Sequence, residues 1–216
     1  EIVRSGVLGD IELMRTLWTA RWHQLPDHAP WRRFRDQGGG ALLEIGSHHV
    51  DLWFHLLGAK AEKVWAESRG IATDDQTVVL GGRMSSGTLV STCLSNQTAE
   101  ANEIELFGTQ AVLRFSCYRA DSLELRPVSA GAGGLHLRLR GVLGRARSFP
   151  ETLRVGLQGG DYVQSYARQW ERFAQALAGA GPVPCTVEEA RDALQAVLAA
   201  IESITGGAAV AIHPGA

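Results

Sequence analysis

One segment of the chain concentrates side chains that can carry a proton: GGGALLEIGSHHVDLWFHLLG, residues 38–58. Built as a helix at about 100° per residue, it places four polar groups within an arc of about 60°. These groups are Glu44, His48, Asp51 and His55. The neighbouring His49 falls on the opposite, apolar side, and Gly58 is well placed to end the helix. The segment therefore predicts a helix with a narrow polar stripe and a broad packing face.

Glu44 and His48 form the pair of this stripe with the clearest chemistry. A carboxylate one helical turn from an imidazole can orient it and favour its protonated form, which gives a proton donor or acceptor near neutral pH. Both residues lie close to the predicted helix start, where free N–H groups and the helix dipole favour anions or electron-rich ligands. The preceding glycines, 38 to 40, permit a close approach of the backbone to a ligand.

Other interpretations of the stripe stay open. A Glu/His pair spaced by four residues is often only an ion pair on a helix surface. Imidazole and carboxylate also suit zinc, iron or manganese. The four polar side chains extend along about 16 Å of helix, however, so no single ion could bind all of them. We therefore predict no metal site here, a packed His49, and a His55 that acts as a cation at the helix end.

The elements that must position this helix belong to an ordinary globular protein. The chain has 216 residues, a formal net charge of −2 and 45% hydrophobic residues, which favours neither a nucleic-acid nor a membrane partner. No apolar run approaches the roughly 20 residues of a membrane helix. Three widely spaced cysteines, Cys93, Cys117 and Cys185, argue against a disulfide framework and for a reducing compartment. We therefore predict a cytoplasmic protein.

The hydrophobic patterns favour one α+β domain over residues 1–216. A strand is predicted at Ile11–Trp22, followed by a proline-interrupted loop and the helix of residues 40–57. Short β-type runs separated by turn residues occupy the segment from about 62 to 128. Their tight spacing favours antiparallel neighbours, since parallel pairs need long crossover connections. The prediction is a predominantly antiparallel sheet with helices packed on one face.

The last third of the chain predicts a loop, two helices and a short strand. Residues 129–160 are rich in glycine and arginine and are interpreted as a surface loop or insertion. One helix is predicted at Tyr162–Leu177. A second begins with a capping box formed by Thr186 and Glu189. Val210–Ile212 could add an edge strand.

No glycine cluster fits the dinucleotide-binding pattern G-x-G-x-x-G between a strand and a helix. Gly131, Gly133 and Gly134 lack the third glycine, and glycines 38 to 40 follow a polar loop. A dinucleotide-binding fold is therefore not expected within these residues. Because the chain starts at Glu1 in what looks like the middle of an element, we expect a fragment whose N-terminal portion is missing.

Several motifs, in order along the chain, resemble the C-terminal domain of the glucose–fructose oxidoreductase / inositol dehydrogenase / MocA (Gfo/Idh/MocA) family. Residues 38–58 resemble its signature of glycines, a small apolar run, Asp or Glu, three residues and His. WRRFRDQGGG resembles its tryptophan-containing loop, and NEIELFGTQAVLRF its strand–Gly–Thr–strand hairpin, with Ala111 where a glycine is usual. SYARQWERFAQAL and TVEEARDALQAVLAAIES resemble its two closing helices.

This resemblance implies a two-domain enzyme in which a Rossmann domain that binds NAD or NADP precedes the sheet domain. The reaction would be reversible hydride transfer between nicotinamide and a hydroxyl-bearing carbon of a sugar, polyol or related compound. The family's acid and histidine map onto Glu44 and His48. His48 would be the general acid/base, and Glu44, in place of the commoner aspartate, would orient it. This chain alone would not turn over, because the cofactor contacts lie in the other domain.

The resemblance also implies substrate contacts and an oligomer. Trp31 and Arg32 in the loop, Trp22 at the end of the preceding strand and Tyr166 at the start of a closing helix could stack on or hydrogen-bond to a sugar. A homodimer or homotetramer through the exposed sheet face is expected. The alternative, from another functional class, is a non-catalytic ligand-binding or dimerisation module that keeps the fold.

Overall fold

An eight-stranded sheet is the centre of the computed structural model, which describes residues 1–21, 29–71, 73–119, 122–130, 153, 154, 157 and 160–213. The strands are β1 (Ile11–Thr19), β2 (Ala61–Arg69), β3 (Thr77–Met84), β4 (Leu89–Ser95), β5 (Ala101–Gly108), β6 (Ala111–Ser116), β7 (Glu124–Pro127) and β8 (Val210–Ala211). Their order across the sheet is β7-β6-β5-β1-β4-β3-β2-β8. Among these strands β1 and β4 run parallel, and the other neighbours run antiparallel. The predicted α+β class and its mainly antiparallel sheet are confirmed.

Two of the three α-helices pack on one face of this sheet. The α-helices are α1 (Ser47–Leu57), α2 (Gly160–Leu177) and α3 (Val187–Gly206), and a π-helical turn, Leu42–Gly46, runs directly into α1. Short 3-10 turns lie at Val3–Ser5, Pro30–Arg33, Arg35–Gln37 and Val128–Ala130. Helix α3 packs on β2 and on α1, and α1 also contacts β1. None of the helices in the described part of the chain has the length and hydropathy of a membrane span.

Most local predictions are confirmed. The capping box at Thr186 forms, since its hydroxyl accepts a hydrogen bond from the backbone N–H of Glu189 while the Glu189 side chain accepts one from the Thr186 N–H. Gly58 ends α1 in the left-handed conformation, and its N–H donates to the Phe54 carbonyl at 2.9 Å. The predicted last strand also forms and pairs with β2.

Three boundaries differ from the prediction. Strand β1 ends at Thr19, so the prediction that it reaches Trp22 is wrong. The reason is that both neighbours stop at this level: Thr19 is paired with the last residue of β4 and the first of β5. The predicted helix of residues 40–57 begins with a π-helical turn, and the closing helix predicted from Tyr162 begins two residues earlier. The loop or insertion predicted at 129–160 lies mostly outside the described residues.

The two faces of the sheet differ in their cover. Residues of β1, β3, β4 and β5 on the helix side form the buried core with side chains of α1 and α3: Met14, Val78, Leu80, Val90, Leu94, Ile104, Leu106, Val50, Trp53, Ala196, Val197 and Ala200. The opposite side, here called the open face, exposes apolar side chains: Leu13 (37%), Val79 (40%), Trp65 (44%) and Leu89 (50%). One charged row crosses the open face, in which Glu105 pairs with Arg15 and Arg114.

A chain of four buried polar side chains fixes α1 to the two parallel strands. The Trp53 indole N–H donates to the Thr92 hydroxyl at 3.1 Å, and the Thr92 and Thr16 hydroxyl oxygens are 2.6 Å apart. Thr16 in turn lies 2.9 Å from Nδ1 of His49. Thr16 and Thr92 are direct partners in the β1–β4 register. Because buried polar groups must find partners, this chain sets both the position and the rotation of α1 on the sheet.

His49 is held neutral in this environment. It is 2% exposed, which confirms the prediction that it turns towards the packing face. Burial, and to a lesser extent the nearby His48, lowers the pKa of His49 from 6.5 to about 4. A neutral imidazole can accept from the Thr16 hydroxyl through Nδ1, and a protonated imidazole cannot. Folding therefore selects the neutral form of this residue.

We expect acid to destabilise the fold through His49. The unfolded chain takes up a proton near pH 6.5, whereas the folded protein does so only near pH 4. The stabilisation is therefore complete above pH 6.5 and is lost as the pH falls towards 4, by up to about 3 kcal/mol. Urea unfolding at a series of pH values should show the stability advantage of wild type over His49→Gln shrinking across this window. His55→Gln, at an exposed site of the same helix, is the control. An advantage that stays constant from pH 7 to pH 4.5 would contradict this assignment.

Candidate functional site

The predicted proton-handling pair lies where a loop enters α1. Glu44 is in the π-helical turn, and its backbone N–H donates to the Gly40 carbonyl at 3.1 Å. His48 is in the first turn of α1 with an exposed side chain. A π-helical turn has i→i+5 hydrogen bonds, so the angle between Glu44 and His48 departs from the regular helix assumed from sequence. The two side chains still interact electrostatically across this turn.

Arg32 completes the group from the loop side. Its Nε lies 3.3 Å from Oε1 of Glu44, and the two side chains are 37% and 18% exposed. Trp31 is 43% exposed, with its ring centroid 5.4 Å from Cζ of Arg32. The structure therefore brings together four of the residues predicted from sequence. Trp31, Arg32, Glu44 and His48 are called the Glu44 group below.

The proton affinity of Glu44 is set by two opposing effects. Burial raises the pKa of the Glu44 carboxyl, because a partly enclosed carboxylate is less well solvated than its acid. The positive charge of Arg32 lowers this pKa, and His48 lowers it to a smaller extent. The charge on Glu44 therefore depends on where these two cationic partners lie.

The glycines before the helix serve the loop itself. The Gly40 N–H donates to the Arg32 carbonyl at 2.9 Å, and the Gly39 N–H donates to the Phe34 carbonyl at 2.8 Å. A Cβ on Gly39 would lie 2.4 Å from the Arg32 carbonyl carbon, and Gly40 has a φ of +85°. The close backbone approach expected here is thus present, but its partner is the loop that carries Arg32.

An ion pair beside this loop was not predicted. Arg35 donates through Nε to Oδ2 of Asp75 at 2.9 Å and through Nη2 to Oδ1. The backbone N–H of Arg35 donates to Oδ2 of Asp74 at 2.9 Å. The available sequence signal was the pair of adjacent acidic residues between two predicted strands, together with the arginine-rich loop WRRFR. Nothing in the spacing indicates which of the three arginines is engaged.

The remaining predicted site residues are placed differently. Trp22 lies outside the described residues. Tyr166 is in α2 and is 47% exposed, and its substrate role stays a prediction. Asp51 and His55 line a separate cavity of about 250 Å³ between the end of α1 and the start of α3. The polar stripe seen in the sequence is therefore divided between two places, and only its N-terminal half belongs to the Glu44 group.

Metal and disulfide chemistry have little support in the described part of the chain. Those residues contain no group of three or more His, Cys, Asp or Glu side chains that could hold a metal ion. All three cysteines are free. Burial raises the pKa of the Cys117 thiol, and Glu103 raises it further. This thiol is correspondingly less reactive as a nucleophile.

The fold is shared with dehydrogenases of known structure. The WlbA dehydrogenase from Bordetella pertussis, in complex with NADH and UDP-GlcNAcA, has a TM-score of 0.73 and 20% identity over 98% of this chain and 59% of that chain. A putative myo-inositol dehydrogenase from Sinorhizobium meliloti 1021 has a TM-score of 0.69 and 16% identity, with 98% and 60% covered. Levoglucosan dehydrogenase in complex with NADH and L-sorbose has a TM-score of 0.67 and 18% identity, with 98% and 61% covered. The chain therefore spans about three fifths of the length of each of these proteins.

Sequence comparison identifies the family. None of the curated proteins matches this chain. Residues 1–114, more than half of the 216, match the family model described as the GFO/IDH/MocA C-terminal domain. That region contains the loop with Arg32, the whole of α1, the strands β1 to β5 and the first part of β6. The chain belongs to the GFO/IDH/MocA family and carries the fold of its C-terminal domain.

Proposed function

We propose that this chain is the substrate-binding and catalytic-pocket domain of an oxidoreductase that uses NAD or NADP. Its reaction is hydride transfer between nicotinamide and a hydroxyl-bearing carbon of a sugar, polyol or related compound. The observation that carries the proposal is the Glu44 group, in which an exposed imidazole, a partly buried carboxylate and a guanidinium meet at a helix start. Support comes from similar structures described as dehydrogenases with NADH and with UDP-GlcNAcA or L-sorbose.

His48 handles the substrate proton in this mechanism. During oxidation of an alcohol, His48 accepts the hydroxyl proton while the C–H hydrogen leaves with its electron pair. The nicotinamide, when bound, supplies the acceptor for that hydride. Glu44 then stabilises the imidazolium of His48, and Arg32 favours the ionised form of Glu44. In the reductive direction, His48 returns the proton to the substrate oxygen.

Other residues of this chain provide the substrate contacts. The exposed ring of Trp31 offers a flat apolar surface for a sugar, and Arg32 offers N–H donors. Trp22 and Tyr166 are included as further substrate contacts on the basis of family resemblance alone. The N–H groups of glycines 38 to 40 donate to loop carbonyls, so they do not fit the phosphates of a dinucleotide. NAD or NADP is therefore assigned mainly to another part of a longer polypeptide.

Helix α2 provides the surface for that other part. Five apolar side chains spaced by three and four residues form a stripe along it: Val163, Tyr166, Trp170, Phe173 and Leu177. Each is 44–75% exposed. Similar proteins are longer than this chain, which covers 58–61% of their length. The proposed cofactor-binding domain covers this stripe in the longer protein.

The open face of the sheet is proposed to pair with a second copy in a homodimer or homotetramer. Its apolar residues Leu13, Val79, Trp65 and Leu89 lie in one area of four adjacent strands. A two-fold axis would bring this area against itself. The charged row formed by Arg15, Glu105 and Arg114 would then lie beside an apolar centre, the arrangement common in protein interfaces.

His48→Ala should lower kcat of the longer protein by about 10²- to 10⁴-fold, the usual contribution of general acid–base catalysis. The measurement is NAD(P)H formation with a panel of sugars and polyols, and residues 1–216 alone provide the baseline without a cofactor domain. His55→Ala, at an exposed site two turns along the same helix, is the matched control and should retain wild-type kcat. If His48→Ala retains the kcat of wild type, His48 has a structural role and is not the general acid/base. A longer protein that binds a sugar and never turns over would favour the binding module.

Trp170→Glu should lower the thermal unfolding temperature of the longer protein and leave that of residues 1–216 nearly unchanged. The reason is that Trp170 is 67% exposed in this chain and would be covered by the proposed cofactor domain. Differential scanning fluorimetry of both lengths provides the comparison. Equal shifts in the two lengths would show that this side of α2 does not contact the rest of the polypeptide.

Val79→Glu should dissociate the oligomer by placing one charge from each copy near the centre of the interface. Sedimentation velocity over a range of protein concentrations measures the result. Ile71→Glu, at a site that is 74% exposed and lies outside the strands, controls for the added charge and should associate like wild type. A monomeric wild type, or a Val79→Glu variant that sediments as wild type, would remove the open face as the interface.

A further inference from the structure

The loop that carries Arg32 is fastened to a turn between two strands of the sheet. This loop, residues 29–40, is called the arginine loop, and the turn that fastens it, residues 73–76 between β2 and β3, is called the acidic turn. Asp74 of the acidic turn makes two hydrogen bonds to the arginine loop. Its N–H donates to the Arg33 carbonyl at 2.8 Å, and its Oδ2 accepts from the Arg35 N–H at 2.9 Å. Asp75 adds the two-point ion pair with Arg35.

Asp75 has properties that ordinary turn residues lack. Its carboxylate is fully buried, so its charge requires a partner. Its φ is +49°, the one left-handed non-glycine residue in the described chain, a conformation that Asp and Asn adopt more readily than other residues with a Cβ. The acidic turn is also attached to the residue that follows β4, because the Asn96 N–H donates to the Gln76 carbonyl at 3.0 Å. A buried carboxylate and a left-handed backbone thus coincide at the position that holds Arg35.

Short links connect Asp75 to the Glu44 group. A Cβ on Gly40 would lie 3.2 Å from Oδ2 of Asp75, so the acidic turn packs directly on the end of the arginine loop. The Gly40 N–H donates to the Arg32 carbonyl, and the Gly40 carbonyl accepts from the Glu44 N–H. Arg32 is therefore fixed at its carbonyl by Gly40 and, three residues further on, by the Arg35–Asp75 pair.

We propose that Asp75 is a positioning residue for the Glu44 group: by holding Arg35, it fixes the arginine loop so that Arg32 reaches Glu44. The significance of this for catalysis rests on the proposed function. The link between Asp75 and Glu44 does not, and it can be measured without turnover.

The link has an observable consequence at the Glu44 carboxyl. Two charged groups face Glu44: Arg32 from the arginine loop and His48 from α1. Burial favours the protonated acid, and Arg32 is the larger of the two opposing charges. If the arginine loop loses its attachment, Arg32 spends less time beside Glu44 while His48 stays in place. The pKa of Glu44 should then rise, although neither Glu44 nor Arg32 has been changed.

The test is a pH titration of the Glu44 side-chain carboxyl by 13C NMR in the full-length protein, with the signal assigned by loss in Glu44→Gln. Asp75→Asn removes the charge while asparagine tolerates the left-handed backbone. We expect Asp75→Asn and Arg32→Ala each to raise the pKa of Glu44, and the double variant to raise it no further than Arg32→Ala alone. Glu105→Gln removes a carboxylate from another arginine pair, on the open face, and should leave this pKa unchanged.

A folded Asp75→Asn variant whose Glu44 titrates as in wild type would overturn the proposal, as would additive effects in the double variant. If Asp75→Asn does not fold, Arg35→Lys replaces it, because lysine keeps the charge and loses the two-point contact. A raised pKa of Glu44 in Arg35→Lys supports the positioning role, and an unchanged one overturns it. Failure of the proposed function would appear separately. In that case the full-length protein would catalyse no hydride transfer, but Asp75→Asn would still raise the pKa of Glu44.

Discussion

The attachment of α1 to β1 and β4 is the interaction on which the rest of the site depends. His49 and Trp53 insert two polar groups into the buried layer, where Thr16 and Thr92 provide their partners. A purely apolar contact would leave the helix free to rotate by a fraction of a turn, because hydrophobic burial is non-directional. Hydrogen bonds at both ends of one helical turn remove that freedom. His48, one residue before His49, is thereby directed outward, where its imidazole is exposed as the proposed proton transfer requires.

The Glu44 group depends on a second attachment of a different kind. Helix α1 places Glu44 and His48, but Arg32 arrives on a loop without regular structure of more than one turn. Such a loop is held by specific contacts instead of a packed face, and here the buried pair Arg35–Asp75 supplies them. Buried ion pairs contribute little net stability, since desolvation offsets much of the attraction. Their geometry is specific, however, and a loop that must place one guanidinium against one carboxylate requires specific geometry.

Local features of the sequence predicted local structure well. The capping box at Thr186, the stop at Gly58 and the separation of His48 from His49 all follow from patterns within one or two helical turns. The parallel pairing of β1 with β4 could not be predicted in this way, because 76 residues separate the paired positions. The same holds for Asp75, whose burial and choice of Arg35 are tertiary facts. Family resemblance indicated Arg32 as a substrate contact, and the ion pair between Arg32 and Glu44 is a tertiary contact that neither resemblance nor spacing predicted.

The five strands from β1 to β5 share one numerical property. Beyond the register shifts near Ile11 and Ala61, even-numbered residues such as Met14, Val64 and Leu80 face the helices, and odd-numbered side chains such as Leu13, Trp65 and Val79 face the open side. Thr16, which holds α1, is thus flanked by Arg15 and Leu17 on the other side of the same strand. A one-residue insertion within such a strand would exchange the two sets beyond it unless a β-bulge absorbs the extra residue. We therefore expect changes of length to be tolerated best in the turns, in steps of two residues, or at the register shifts near Ile11 and Ala61.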